Sequence, residues 1–283
     1  MSRTFALRAA GLVCFLAVSL GSVALNALTD PEQDRLAFIE LYKMKFPDHP
    51  LSDYVLGALM LSEDAKQQYE SIMEFPPFSP TVDAGKEQWE RPFKNGKTFA
   101  DCFPNGGRSV AGNYPKYDES RGRVVTFEMA INQCLADNGE TQLNIADMKS
   151  MGVLMSYART LSDGMAMNIK VDSPAALEKF EAGKKAFFTR RGQLNFACAS
   201  CHVQNAGNIL RTEILSPTVG QATHWPVFRG GDNLNTIQAR YKRCLEQIRA
   251  TPLELGGEEF NNLEYFHSYL SNGLPLKASV YRK

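Results

Sequence analysis

The sequence has no surplus of charge, with 31 Lys and Arg set against 31 Asp and Glu in 283 residues. A nucleic-acid binder needs a clustered basic excess, so that class is set aside. After residue 27 no stretch approaches the roughly 18 consecutive apolar residues of a membrane-spanning helix. Methionine occurs ten times but never after Met167, and the six cysteines include only one Cys-x-x-Cys pair. A zinc site built from two such pairs therefore lacks its second half.

The amino terminus does carry a pattern. Arg3 and Arg8 precede the apolar run "GLVCFLAVSLGSVAL", small residues follow at Ser22, Ala24 and Ala27, and the chain turns polar at Thr29 and Asp30. This is the layout of a secretory signal peptide over residues 1–27, which predicts an exported, periplasmic protein without a membrane span in its mature form. About 256 residues would remain, enough for two ordinary domains, with a net charge near minus two once Arg3 and Arg8 are gone. Cys14 would leave with the leader, and Cys102, Cys134, Cys198, Cys201 and Cys244 would stay. An odd number of thiols in an oxidising compartment requires a use for the unpaired one.

"CASCH" at 198–202 supplies most of the answer. Cys-x-x-Cys-His spacing lets two thiols form thioethers to one haem while the following imidazole turns to the iron, so Cys198, Cys201 and His202 predict one covalently bound haem c. A disulfide across Cys198 and Cys201, a redox dithiol and half of a zinc site are the competing uses. The segment before the motif, "SPAALEKFEAGKKAFFTRRG", begins with Ser173 and Pro174, repeats Leu177, Phe180, Lys184, Phe187 and Phe188 at helical spacing, and stops at Gly192. Methionine commonly completes such an iron, but every methionine precedes the motif. His224, Cys244 and His267 remain as sixth-ligand candidates, or the position is open.

An internal repeat narrows that choice. "AGKEQW" at 84–89 resembles "AGKKAF" at 182–187, and "FADCFPNGG" at 99–107 lies against "CASCHVQNAG" at 198–207. "YPKYDESRGRVVTFEMAINQC" at 114–134 matches "WPVFRGGDNLNTIQARYKRC" at 225–244, and "LSDGMAM" at 161–167 parallels "LSNGLPL" at 270–276. Two tandem copies of one fold are predicted. In this register Cys198 faces Phe99, Cys201 faces Cys102, His202 faces Phe103 and Cys244 faces Cys134. The first copy has thus lost a thioether cysteine and the histidine, and it should hold no covalent haem. A Cys102–Cys134 disulfide is expected to staple the collapsed pocket in its place. Cys244, a position that carries cysteine in both copies, becomes the favoured distal ligand over His224 and His267.

"DNLNTIQARYKRCLEQIRA" is expected to form a helix capped at Asp232 or Asn233, with Arg240 one turn before Cys244 on the same face. Arg240, Lys242 and Arg243 would favour a thiolate and attract a small anion, although Lys242 and Arg243 serve equally well as a solvated face. Trp225 and Phe228 are expected to pack on a porphyrin, and His224 on a pocket wall. Residues 31–80, ending in "FPPFSP", read as a helical extension and an irregular connector that packs on the first domain or on a partner.

Taken together, "CASCH", the single downstream cysteine in "ARYKRC", the degenerate first copy and the terminal "LSNG" resemble the SoxA family, the larger subunits of the Sox cytochromes that begin periplasmic thiosulfate oxidation. The resemblance covers nearly all of the mature chain. It implies Cys198 and Cys201 as haem attachment sites, His202 and Cys244 as axial iron ligands, Cys244 open to persulfide modification, and Arg240 holding the anionic substrate beside that sulfur. "FADCF" departs from the first haem motif of two-haem members, which implies the single-haem type. The implied activity is that of an L-cysteine S-thiosulfotransferase subunit, joining thiosulfate to a cysteine of a SoxYZ-like carrier. It would work with a SoxX-like small haem c subunit and pass electrons to an acceptor cytochrome c. A plain electron-carrying cytochrome with His/Cys ligation, and a ligand-sensing module, are the other readings. The expected fold is mainly α, with two tandem cytochrome c-like domains: signal peptide 1–27, extension and connector 28–80, haem-free domain 81–172, haem-binding domain 173–283.

Overall fold

The structure is a computed structural model that describes residues 30–230, 233–278 and 280–282. The expected signal peptide therefore lies outside the described residues, as does Asp232. No described helix is long and apolar enough to cross a membrane.

Helix α1 (Pro31–Lys45) starts on an Asp30 cap with proline in its first turn. A tight helical stretch (Leu51–Leu61) and α2 (Glu63–Glu74), capped by Ser62, complete the extension. Two runs of elements in the same order follow. The first comprises α3 (Ser79–Glu90), the ribbon of β1 (Lys116–Asp118) and β2 (Arg123–Val125), α4 (Phe127–Asp137) and α5 (Val153–Ala158). The second comprises α6 (Pro174–Phe188), the short hairpin of β3 (Ile209–Leu210) and β4 (Glu213–Ile214), the ribbon of β5 (Val227–Arg229) and β6 (Asn233–Asn235), α7 (Ile237–Gln247) and α8 (Glu258–Tyr269). Strand β7 (Val280–Arg282) adds in parallel to β5. The chain is mainly helical, as the sequence predicts.

Physical detail repeats along with order. Helix α3 packs on α5 and α6 on α8 through a glycine at the same place in each pair. A Cβ on Gly85 would sit 2.3 Å from the Val153 carbonyl oxygen, and one on Gly183 would sit 1.9 Å from that of Asn262. Only a bare Cα admits so close a crossing. Thr126 caps α4 by accepting from the Met129 amide, and Thr236 caps α7 by accepting from the Ala239 amide, each at 3.3 Å. Helix α7 thus starts later than the Asp232 or Asn233 predicted, because residues 233–235 extend as β6 and leave Thr236 to satisfy the first amides.

The ends of the two runs hydrogen-bond to each other reciprocally. Gly164 N–H donates to Leu276 O at 2.8 Å and Gly273 N–H to Met167 O at 2.9 Å. Met167 N–H donates to Leu274 O at 2.8 Å and Leu276 N–H to Met165 O at 2.7 Å. Ile169 N–H donates to the Asn272 side chain at 2.7 Å, and Ala278 N–H to that of Asp163 at 2.9 Å. A shift of 109 residues exchanges the members of each pair of bonds.

The extension packs on the second run and not on the first domain, one of the two places expected from sequence. Phe38 meets Phe187 and Phe266, Lys184 pairs with Asp34 at 2.6 Å, and Arg35 donates to Asn272 O. Its apolar face matches α6 and α8, whose aromatic residues would otherwise meet water.

Candidate functional site

Helix α6 is capped by Ser173, carries Pro174 in its first turn, and buries Phe180 and Phe187. Beyond it the chain makes a short turn and enters a wide helical turn at Ser200–Gln204. Ser200 Oγ accepts the Ala197 amide at 3.1 Å and Asn205 donates to Ser200 O at 2.8 Å, which fixes the turn at both ends. Cys198, Cys201 and His202 thereby border one cavity of about 300 Å³, walled by Phe187, Leu215, Trp225 and Phe260 among others. The thiols of Cys198, Cys201 and Cys244 are unbonded.

His202 Nδ1 lies 3.0 Å from Ser216 O. A carbonyl only accepts, so Nδ1 carries the proton and Nε2 keeps its lone pair. The Gln221 amide lies 2.8 Å from the same nitrogen, and turned about its last bond it presents its oxygen there. Burial lowers the His202 pKa, and the Arg240 guanidinium lowers it further against the opposing Ser216 bond. The ring is thus neutral, the form that binds a metal.

To the same cavity α7 contributes Arg240, Tyr241, Arg243 and Cys244. Burial pushes the Cys198 thiol up to about 12, and the nearby Cys244 adds to the rise. Cys201 is raised by burial and by Cys244, while Arg240 opposes. Cys244 thus lies within electrostatic reach of both other sulfurs, and Arg240 within reach of Cys201. Arg229, on β5, also borders the cavity and pairs with Glu213 at 3.5 Å. Its pKa is lowered by burial, an effect that Glu213 counters and that Arg240 and Arg243 reinforce. Arg191, Arg229, Arg240 and Arg243 thus all border the cavity, with Arg243 exposed at its edge, while Lys242 is exposed and does not line it.

The other ligand candidates are differently engaged. His267 Nδ1 lies 2.7 Å from the Tyr241 hydroxyl and its Nε2 is 3.3 Å from Thr218 O, so protein partners take both nitrogens. Burial pulls its pKa down to about 3. His224 is buried on the cavity wall with Nδ1 donating to Val55 O at 3.0 Å. No methionine lines the cavity among the described residues. Trp225 does line it, but Phe228 turns away and stacks on Phe78 with centroids 4.2 Å apart, contrary to the porphyrin contact expected for it.

These residues fit a haem. Two thiols three residues apart, a neutral histidine with a free Nε2 and apolar walls meet on one cavity, and burial disfavours thiolates while leaving uncharged thioethers at no penalty. Among the described residues no three His, Cys, Asp or Glu side chains converge as bare-metal ligands.

The corresponding positions of the first run are packed solid. Phe99 and Phe103 stack on Trp89 at 5.3 and 5.7 Å, and Phe103 meets Phe127 edge-on. Cys102 and Cys134 are joined as a disulfide with Cα atoms 5.8 Å apart.

Sequence reading missed Arg229, Glu213, Tyr241, Ala58 and Leu59 on the cavity. Arg229 and the extension residues carry no motif, and only the fold brings them to the site.

A family description, the SoxA/TsdA cytochrome c domain, matches residues 84–167, the half that lacks Cys-x-x-Cys-His. The chain is 40% identical over 261 residues to the L-cysteine S-thiosulfotransferase subunit SoxA of Allochromatium vinosum, covering 89% of this chain and 90% of that one. It is 42% identical to the protein of the same name from Chlorobaculum tepidum, covering 91% and 89%. Among solved structures, that of SoxXA from P. pantotrophus superposes with a TM-score of 0.69 at 30% identity, covering 77% of this chain and 84% of that one. With this identity spread over nearly its whole length and a cytochrome c-type fold, the chain belongs to the SoxA family.

Proposed function

We propose that this chain is the sulfur-transferring subunit of a periplasmic thiosulfate-oxidising cytochrome, an L-cysteine S-thiosulfotransferase subunit that holds one haem c. It consists of two tandem copies of one cytochrome c-type unit, the first without haem. The reciprocal hydrogen bonds between residues 163–169 and 272–278 support the tandem reading, as does a cytochrome c domain description that falls on the half lacking the haem motif. Cys198 and Cys201 would hold the haem through thioethers, and His202 and Cys244 would ligate its iron. Bound there, the haem would supply one-electron oxidation and pass electrons to an acceptor cytochrome c.

The chain's own residues have separate tasks. Arg240, assisted by Arg229 and Arg243, binds the thiosulfate dianion and aims its outer sulfur at Cys244. Cys244, with or without an added sulfur, is the sulfur-handling centre. The net reaction forms one S–S bond between thiosulfate and a cysteine of a SoxYZ-like carrier. The carrier thiol loses its proton, and two electrons leave. A small SoxX-like haem subunit is the expected partner, in keeping with the SoxXA assembly named for the similar solved structure.

One observation carries this reading: an attachment triad and a cysteine–arginine pair border the same cavity. Arg240→Ala tests it. Loss of a charge-assisted contact of about 2–3 kcal/mol should lower kcat/KM for thiosulfate by roughly 30–150-fold, with the haem spectrum nearly preserved. Turnover at the original level, measured with carrier and small subunit present, would remove Arg240 from the site.

A further inference from the structure

We propose that Tyr42, in the amino-terminal extension, is a positioning residue that sets how His202 is held toward the haem; this rests on the haem reading above. The His202 ring is oriented by the Ser216 carbonyl, 14 residues away in sequence. Between the two lies the β3–β4 hairpin, with Ile209 and Leu210 exposed on its first strand. The hairpin is closed by two backbone bonds, Gly207 N–H to Leu215 O at 2.7 Å and Leu215 N–H to Asn208 O at 2.9 Å, and the Gln221 amide touches both His202 Nδ1 and Ser216 Oγ. A further oxygen adds a direct tie from a separate element. The Tyr42 hydroxyl donates to His202 O at 2.6 Å and accepts from Thr218 N–H at 3.1 Å. It thus ties the peptide that carries the ligand to the segment that carries the ligand's hydrogen-bond acceptor.

The tie is itself well anchored. Tyr42 is fully buried, and its ring lies 6.1–6.3 Å from those of Phe38, Phe46 and Tyr54. Helix α1 is fixed to the same half by Asp34–Lys184 and by Lys45 donating to Gln204 O. The extension also reaches the cavity directly through Ala58 and Leu59, and its Val55 carbonyl holds His224. A hydrogen bond from the non-ligating nitrogen of a histidine raises the basicity of the ligating one and fixes its orientation. Tyr42 therefore acts on the iron through the geometry of the His202–Ser216 bond, although it lies 160 residues before the ligand.

Tyr42→Phe keeps the ring and removes the bridge. Tyr54→Phe is the matched control, because the buried Tyr54 hydroxyl has no hydrogen-bond partner among the described residues. Both are to be made in the full haem-loaded chain, with haem content measured first and then the midpoint potential and ferric spin state. The expected result is unchanged haem content in both variants, with a positive shift only in Tyr42→Phe. A weaker histidine stabilises ferric iron less, by three- to tenfold in the one-electron equilibrium constant, or up to about 59 mV. A high-spin fraction should accompany it. Potential and spin state identical to the original chain in Tyr42→Phe, or an equal shift in Tyr54→Phe, would overturn the proposal. A wild-type chain without haem on Cys198 and Cys201 would overturn the reading beneath it, and haem content reports that separately. Should Tyr42→Phe not accumulate, amide exchange at Thr218 in the wild-type chain replaces it: slow exchange is expected, and fast exchange would overturn the bridge.

Discussion

The two runs of this chain share helix order, threonine caps and a crossing glycine, yet one is packed solid where the other is hollow. In the first, Phe99, Phe103 and Trp89 occupy the ground that Cys198, His202 and Phe187 border in the second, and the Cys102–Cys134 bond replaces two separated thiols. The difference shows that the helical frame does not depend on the haem motif. A core of stacked aromatic residues with one disulfide and a cavity suited to a large apolar cofactor are two solutions to the same burial problem. Chemistry is assigned to only one of them.

The largest expected effect comes from disarming the hollow half. Cys198→Ala with Cys201→Ala should abolish covalent haem, seen as loss of haem signal on a denaturing gel, and thiosulfate turnover with it. Covalent haem persisting on the chain would mean that the first half also holds a cofactor, and the comparison would break. Cutting the staple of the packed half comes next. Cys102→Ser with Cys134→Ser opens a link that spans 32 residues, at an expected cost of about 3–4 kcal/mol in unfolding free energy. Haem content and the kcat/KM for thiosulfate of the folded fraction should stay unchanged. Loss of haem from this variant would show that the two halves do not divide the work as described.

The smallest effect lies where the halves meet. Glu264, on α8, accepts from Gln238 at 2.8 Å; burial and then Glu128 of the first half raise its pKa from 4.5 to about 8, against the pull of Gln238 and Arg159. The folded chain holds this proton more tightly than the unfolded chain does. The resulting stability is full below 4.5 and is lost as pH rises through the folded value near 8. Glu264→Gln should flatten that decline and leave the variant the more stable of the two at pH 9. Thermal melts across pH 5–9 would check it, and parallel curves for variant and wild type would dismiss the titration.

Much of this was legible in the sequence because the responsible features are local. The helix before the motif is announced by Ser173, Pro174 and the spacing of Phe180 and Phe187, and the Cys-x-x-Cys-His spacing brings Cys198, Cys201 and His202 to one cavity. The proposed repeat has landmarks of two kinds: Gly85 and Gly183 leave no room for a Cβ, and Gly164 and Gly273 of the "LS-x-G" ends adopt positive φ. The start of α7 was misjudged because Asn233 resembles a cap and only strand pairing of β6 with β5 moves the helix start to Thr236. Phe228 was misassigned because alternation along β5 turns it toward Phe78. The extension was silent: nothing in "FIELYKMKF" states that Tyr42 will meet a carbonyl 160 residues later. Such long-range bonds are set by tertiary packing and leave no periodic trace.

The most direct test of the division between the halves is the intact mass of the exported, purified chain under non-reducing conditions, with each cysteine adduct then located by peptide mapping. The account predicts a single haem on the peptide containing Cys198 and Cys201, a Cys102–Cys134 disulfide, and Cys244 in neither bond. A haem-free second half, or free thiols at Cys102 and Cys134, would contradict it.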